Sequence, residues 1–300
     1  MAELTSSQIQ VSPAEMVMPR RRSRLRRWPI IPVGIVSVFV FAAVFAPWVS
    51  PHDPLRAESL RDRNTPPFWV EGGSTKFLLG TDTLGRDMLS RIIHGARVSV
   101  IIASIALSAG AVVGVTLGIV AGYYGKLIDE TIIRITDVNS AIPFLLLALV
   151  VVMVLGQSFM VVVLVLAYGS WSGFTRLVRA ETLLLREADY VSLARVSGAS
   201  DFRIMFRHIL PGTFNTIIII ATLQVGSLIL TESILSFLGA GIPPPTPAWG
   251  AMISQGRDYL ASAWWIALFP GIALLLLVLA LNFLGDWLRD NLDPRLRQTL

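Results

Sequence analysis

Six apolar stretches organise the chain, at 29–49, 98–121, 132–155, 159–174, 214–238 and 264–284. A membrane-crossing helix needs about 20 apolar residues for roughly 30 Å of hydrocarbon; 159–174 is the shortest of the six. Four consecutive isoleucines at 217–220 and four leucines at 274–277 do not alternate, whereas a transmembrane barrel shows segments of about ten alternating residues. Backbone groups cannot go unpaired in lipid, so the stretches are expected to be helices. The fold expected is therefore an all-α integral membrane protein with six transmembrane helices. The run 29–49 follows the basic cluster Arg20-Arg21-Arg22-Ser23-Arg24-Leu25-Arg26-Arg27, but it exceeds the 7–15 residues of a signal-peptide core, and Pro47 opposes cleavage after Ala46. It reads as an uncleaved anchor.

Patterning inside the spans adds detail. Gly110, Gly114, Gly118 and Gly122 place a groove on one helical face, for packing inside the subunit or against a second membrane subunit. Arg134 and Asp137 stand three apart and are expected to pair. Pro143 is expected to kink the third span. Before the second span, Leu89, Ile92, Ile93 and Ala96 share one face, as in an amphipathic helix lying at the interface.

Charged residues are 15% of the chain, against about 25% in soluble domains, which excludes a soluble globule, a disordered chain and a coiled coil. The absence of cysteine excludes disulfides, Cys-ligated zinc and iron–sulfur clusters. His52, His94 and His208 are far apart and no HExxH pair exists, so no metal site is expected. The net charge of +5 comes from basic residues at the edges of apolar runs, which fits membrane topology and not nucleic acid. With both termini cytoplasmic, 17 of the 25 Lys and Arg lie on the cytoplasmic side, as the positive-inside rule requires. The chain then divides into a cytoplasmic basic tail (1–27), the first helix with a long external segment (28–97), and a transmembrane core (98–300).

Within that core, a loop at 175–212 is too long for a plain connector. It reads as a helix over 186–197, a break at Gly198, a restart capped by Ala199-Ser200-Asp201, and a second helix over 202–210 ended by Pro211. Phe202, Met205, Phe206 and Ile209 recur at helical spacing as one face. Two short helices meeting at a glycine make a rigid protrusion, able to transmit force to a soluble partner.

The run Ser192-Leu193-Ala194-x-x-x-Gly198, with Pro211 thirteen residues after the glycine, resembles the EAA loop of ABC importer permeases. Leu79-Gly80-Thr81-Asp82-Thr83-Leu84-Gly85-Arg86-Asp87, Leu235-Ser236-Phe237-Leu238-Gly239 and Pro244-Pro245-x-Pro247-x-Trp249-Gly250 resemble the dipeptide/oligopeptide/nickel branch of that family. The likeness covers about 28–295. Ser192 and Leu193 stand where the motif has Glu and its first Ala, and His208 where it has Ile.

The resemblance implies a type I importer permease in the bacterial or archaeal cytoplasmic membrane, working by alternating access. It implies as partners a homologous second permease, two cytoplasmic ATPase subunits, an external substrate-binding protein and membrane lipid. ATP and Mg would be bound by the ATPases; this chain has no GxxxxGK[ST] loop, holds no cofactor and is not an enzyme. Ser192, Leu193, Ala194, Gly198, Ala199, Ser200, Asp201 and Pro211 would couple to the ATPase. Asp82, Arg86, Asp87 and Trp249 would serve external docking. Glu232 and Gln224, polar groups inside a span, are candidates for the substrate pathway or for structural hydrogen bonds. Dipeptides or oligopeptides are the expected cargo, with nickel chelates or glutathione-like peptides as the alternative. A secondary transporter or channel is the rival class; it predicts intramembrane acids and inverted repeats and leaves the 175–212 loop unexplained.

Overall fold

Helix α3 (Met88–Tyr124) is the axis on which the other elements are arranged in this computed structural model, which describes residues 29–57 and 59–292. The expected basic tail (1–27) and the last eight residues lie outside the described residues. Chain order begins with α1 (Ile30–Val44) and α2 (Ala46–Val49), separated at Phe45, with Pro47 in the first turn of α2. A 3-10 turn (Leu60–Asp62) follows in the long segment expected to be external, and then α3. Asp87 caps α3, its carboxylate accepting from the Ser90 N–H at 2.8 Å. At 37 residues α3 is about 55 Å long, well beyond the hydrocarbon thickness. The expected separate interfacial helix is its first two turns: no breaker stands between Ala96 and the apolar run, so the helix simply continues.

Gly125, at φ +65°, turns the chain into α4 (Lys126–Ala141), and α5 (Phe144–Leu155) follows at an angle of 82°. Pro143 is at the break, as expected; it lacks an N–H and opposes helix in Ile142 before it. The expected Arg134–Asp137 pair is not formed. Arg134 bonds Glu130 one turn earlier, and Asp137 accepts from Arg176 Nη2 at 2.8 Å across to α6. Arg179 clasps Asp129 with two hydrogen bonds in the same way.

After Gly156 (φ +82°), Ser158 caps α6 (Phe159–Leu185). This helix runs eleven residues beyond the apolar stretch that announced it. Arg176, Arg179 and Glu181 mark where it leaves the apolar layer, while Thr175, Val178 and Thr182 keep its buried face unbroken. The four-residue glycine repeat of α3 packs on this face. A Cβ on Gly110 would lie 1.8 Å from Ser170 Oγ, on Gly114 2.3 Å from the Trp171 carbonyl oxygen, and on Gly122 2.6 Å from Thr182 Cβ. The groove therefore serves packing within the chain.

The remaining elements are α7 (Asp189–Val196), α8 (Asp201–Ile204), a π turn (Met205–Ile209), α9 (Leu210–Gly212), α10 (Phe214–Phe237), α11 (Trp249–Gly256), a 3-10 turn (Arg257–Tyr259) and α12 (Trp265–Leu292). Among the described residues the sole β feature is an isolated bridge, Thr81 with Asp87. Among the described residues four helices, α3, α6, α10 and α12, are each long and apolar enough to cross a membrane, and the bent α4–α5 pair makes a fifth if it counts as one span. The sixth expected span is the 15-residue α1, about 22 Å long, short of a crossing without the turn of α2 beyond it. One large core joins α1, α3, α5, α6, α10, α11 and α12; a second, smaller core lies where α7 to α9 meet α3 and α6.

Candidate functional site

At that smaller core the chain leaves the bundle and returns as a bent helical loop. The bend is a Schellman closure of α7: Gly198 N–H donates to the Arg195 carbonyl and Ala199 N–H to the Ala194 carbonyl, both at 3.0 Å. Gly198 sits at φ +78° with open space around it. Ser200 restarts the helix, its hydroxyl accepting from Arg203 N–H. Val191, Ile204, Met205 and Ile209 bury against Ile119, Tyr123 and Val178. Tyr123, at the end of α3, donates its hydroxyl to Asp201 Oδ1 at 2.7 Å, and the Arg195 guanidinium lies 5.8 Å from its ring. The loop is thus fixed to the end of α3 by apolar burial, a hydrogen bond to a carboxylate and a cation–π contact.

The outer side of the loop carries an apolar patch among the exposed cations Arg195, Arg203 and Arg207. Val196 is 87% exposed, Leu193 67% and Phe202 66%, and the Phe202 and Phe206 rings stack with centroids 4.4 Å apart. The expected single face of Phe202, Met205, Phe206 and Ile209 is divided: Met205 and Ile209 point inward, Phe202 and Phe206 outward. The four residues straddle the helix's waterline. Of the expected coupling residues, Ser192, Leu193, Gly198, Ser200, Asp201 and Pro211 are exposed, and Ala194 and Ala199 half-buried. Pro211 does not end the helix. The π turn before it, in which Leu210 N–H donates to the Met205 carbonyl, has already shifted the hydrogen-bond ladder. Pro211 then occupies a first turn, where an N–H is not needed, and the path continues helically into α10.

At the other end of the bundle, the expected docking residues are enclosed. Asp82, Arg86, Asp87 and Trp249 are all at most 7% exposed. Asp82 accepts from the N–H groups of Leu84 and Arg86 at 2.9 Å and from Arg86 Nε at 2.7 Å, with Arg91 Nη1 at 3.5 Å. Trp249 Nε1 donates to the Ile92 carbonyl, and Trp265 Nε1 to the Thr81 carbonyl, each at 3.0 Å. These residues hold the segment onto the bundle and present nothing to a docked protein. Its outward-facing residues include Phe68, Trp69, Leu78 and Leu84.

The two expected pathway residues part company. Glu232 is buried between α10 and α3, accepting from Ser236 Oγ at 2.7 Å and Ser99 Oγ at 3.2 Å. Gln224 lines a cavity of about 600 Å³ between α6, α10 and α12, at the end of the bundle that carries the bent loop. Glu181, Asn215, Thr216 and Arg289 share that cavity. The sequence reading missed them. Their signal is faint: Asn215-Thr216 interrupts the apolar run after Pro211, and Glu181 and Arg289 look like ordinary span-edge charges.

Residues 114–298 match the family described as binding-protein-dependent transport system inner membrane component. Among curated proteins, a di/tripeptide transport system permease protein of Pseudomonas aeruginosa is 45% identical over 261 residues, covering 87% of this chain and 86% of the relative. The dipeptide transport system permease protein of Escherichia coli is 42% identical over 269 residues, 89% of each chain. A glutathione transport system permease protein of Pectobacterium atrosepticum is 42% identical over 277 residues, 92% of this chain and 90% of that one. Among solved structures, a chain of the MetNI methionine ABC transporter in inward facing conformations superposes with a TM-score of 0.55 at 19% identity, over 69% of this chain and 98% of that chain.

Proposed function

The chain belongs to the binding-protein-dependent transport system inner membrane component family of ABC importer permeases, and from that premise we propose that it forms half of a translocation path for di- and tripeptides. The substrate class rests on the relatives named for di/tripeptide, dipeptide and glutathione transport, all of them short peptides. A homologous permease supplies the other half of the path. An external binding protein delivers the peptide, and ATP hydrolysis takes place on two separate cytoplasmic subunits. Both termini are cytoplasmic, so the α7–α8 loop faces an ATPase.

The observation that carries this reading is the loop itself. It is closed by two hydrogen bonds at Gly198, anchored through Tyr123 and Asp201, and carries an exposed apolar patch on its free side. A well-fixed, desolvatable patch of Phe202, Phe206, Leu193 and Val196 suits a standing protein contact. ATP shifts the permease between states only if the docked complex binds nucleotide better in one of them. A rigid lever conveys that difference, and its return into α10 without a flexible joint carries it to the spans.

Gly198→Pro tests this. Proline holds φ near −65°, incompatible with the +78° of the bend. In the reconstituted complex, peptide uptake should fall at least tenfold, and peptide-stimulated ATP hydrolysis should be lost. Uptake and stimulation at the unsubstituted rates would refute the coupling role.

A further inference from the structure

The cavity between α6, α10 and α12 holds polar groups that the fold does not use. Glu181 stands on the α6 wall, Arg289 on the α12 wall, and Asn215, Thr216 and Gln224 on the α10 floor between them. Among the described residues none of these five side chains takes part in a hydrogen bond or ion pair with the rest of the chain. Glu181, Thr216 and Gln224 are half-buried and Asn215 and Arg289 exposed, so water can serve all five; it is their convergence on one concave, otherwise apolar surface that marks a ligand site. The rest of the wall is apolar, including Leu177, Ile219 and Leu223.

The charge pattern selects the ligand. One acid and one base line the cavity together with two amides and a hydroxyl. An anionic lipid headgroup calls for clustered bases. A zwitterion with amides between its ends matches each group in turn. The cavity also adjoins the lever: Gly212, the last residue of α9, is among its lining residues, and a Cβ there would lie 2.8 Å from Leu185 Cδ1. A shift of α7–α9 therefore moves the cavity floor directly.

We propose that this cavity holds a di- or tripeptide on the cytoplasmic side of the path, its ammonium on Glu181, its carboxylate on Arg289 and its one or two backbone amides within the set Asn215, Thr216 and Gln224. The assignment rests on the peptide-permease reading above and adds the residues that would contact the peptide.

The test uses the assembled importer in detergent without ATP and the dipeptide alanyl-p-benzoylphenylalanine as photoprobe, with N-acetylated and C-amidated forms alongside. Labelling of the unsubstituted complex should map by mass spectrometry to α6, α10 or α12 around the cavity. Each blocked form should label about tenfold less, the scale of one lost charge-assisted hydrogen bond. In Glu181→Gln the N-acetyl block should cost nothing further, and in Arg289→Gln the amide block should cost nothing further. A merely structural role would not produce that selective loss. Label confined to other sites, blocks acting equally in both variants and the unsubstituted complex, or a phospholipid in the cavity that peptide does not displace would each overturn the assignment. Peptide uptake by the complete complex in vesicles is measured in parallel. Uptake with label elsewhere removes the cavity proposal alone, whereas absence of ATP-driven peptide uptake removes the functional reading beneath it.

Discussion

Two glycines set opposite limits on substitution. Gly198 needs its backbone conformation but has nothing within 4 Å of a Cβ; Gly114 has an ordinary helical conformation but no room, with the Trp171 carbonyl oxygen 2.3 Å from a Cβ. Gly198→Ala is therefore expected to cost about 1–2 kcal/mol of local strain while the complex still assembles. Gly114→Leu forces α3 and α6 apart and should leave little folded protein. Thermal unfolding and the yield of detergent-purified complex distinguish the two, and equal behaviour of the variants would contradict the packing described. Both glycines stand out in the sequence, but their roles do not. A repeat of four marks a groove without saying which helix fills it. A lone glycine between two amphipathic segments does announce a bend, because few other residues take φ near +80°. At Asp82 and Asp87 the sequence misleads for a physical reason: turn-forming acids look like exposed docking groups, yet here they accept backbone N–H groups inside a folded segment.

Helix boundaries were legible where a breaker acts and obscure where only polarity changes. Pro143 bends its span as expected, and Gly125 and Gly156, both at positive φ, end the helices before them. The first turns of α3 and the last eleven residues of α6 read as other structure because hydropathy falls, although nothing in them opposes helix. The polar end of α6 remains helical through partners that lie far away in sequence, Asp129 and Asp137 on α4. Asp129→Arg should accordingly lower the yield of assembled complex, and the exchanged pair Asp129→Arg with Arg179→Asp should recover at least half of it. No recovery in the double variant would mean that the pair does not hold α4 to α6. The π turn before Pro211 was beyond the sequence pattern, since a proline after an amphipathic segment ordinarily signals a stop and only the displaced hydrogen-bond ladder shows otherwise.

Over the whole molecule, one end is locked and the other is offered. The segment between α2 and α3 is closed onto the bundle by Asp82, Arg86, Trp249 and Trp265, whereas the α7–α8 loop turns Val196 and Phe202 outward from a firm base. The permease class was legible from the order of several weak motifs; the exact count of crossing helices was not, because α1 is short and α4–α5 is bent by 82°. The central claim is that the loop is gripped by a cytoplasmic ATPase. The chain contains no cysteine, so a single one reports cleanly. Val196→Cys in the complete complex, treated with a short bifunctional thiol reagent, should crosslink to the ATPase subunit, while Thr246→Cys should crosslink only to a partner on the opposite side of the membrane. Capture of the external binding protein by Cys at 196, or of the ATPase by Cys at 246, would contradict the account.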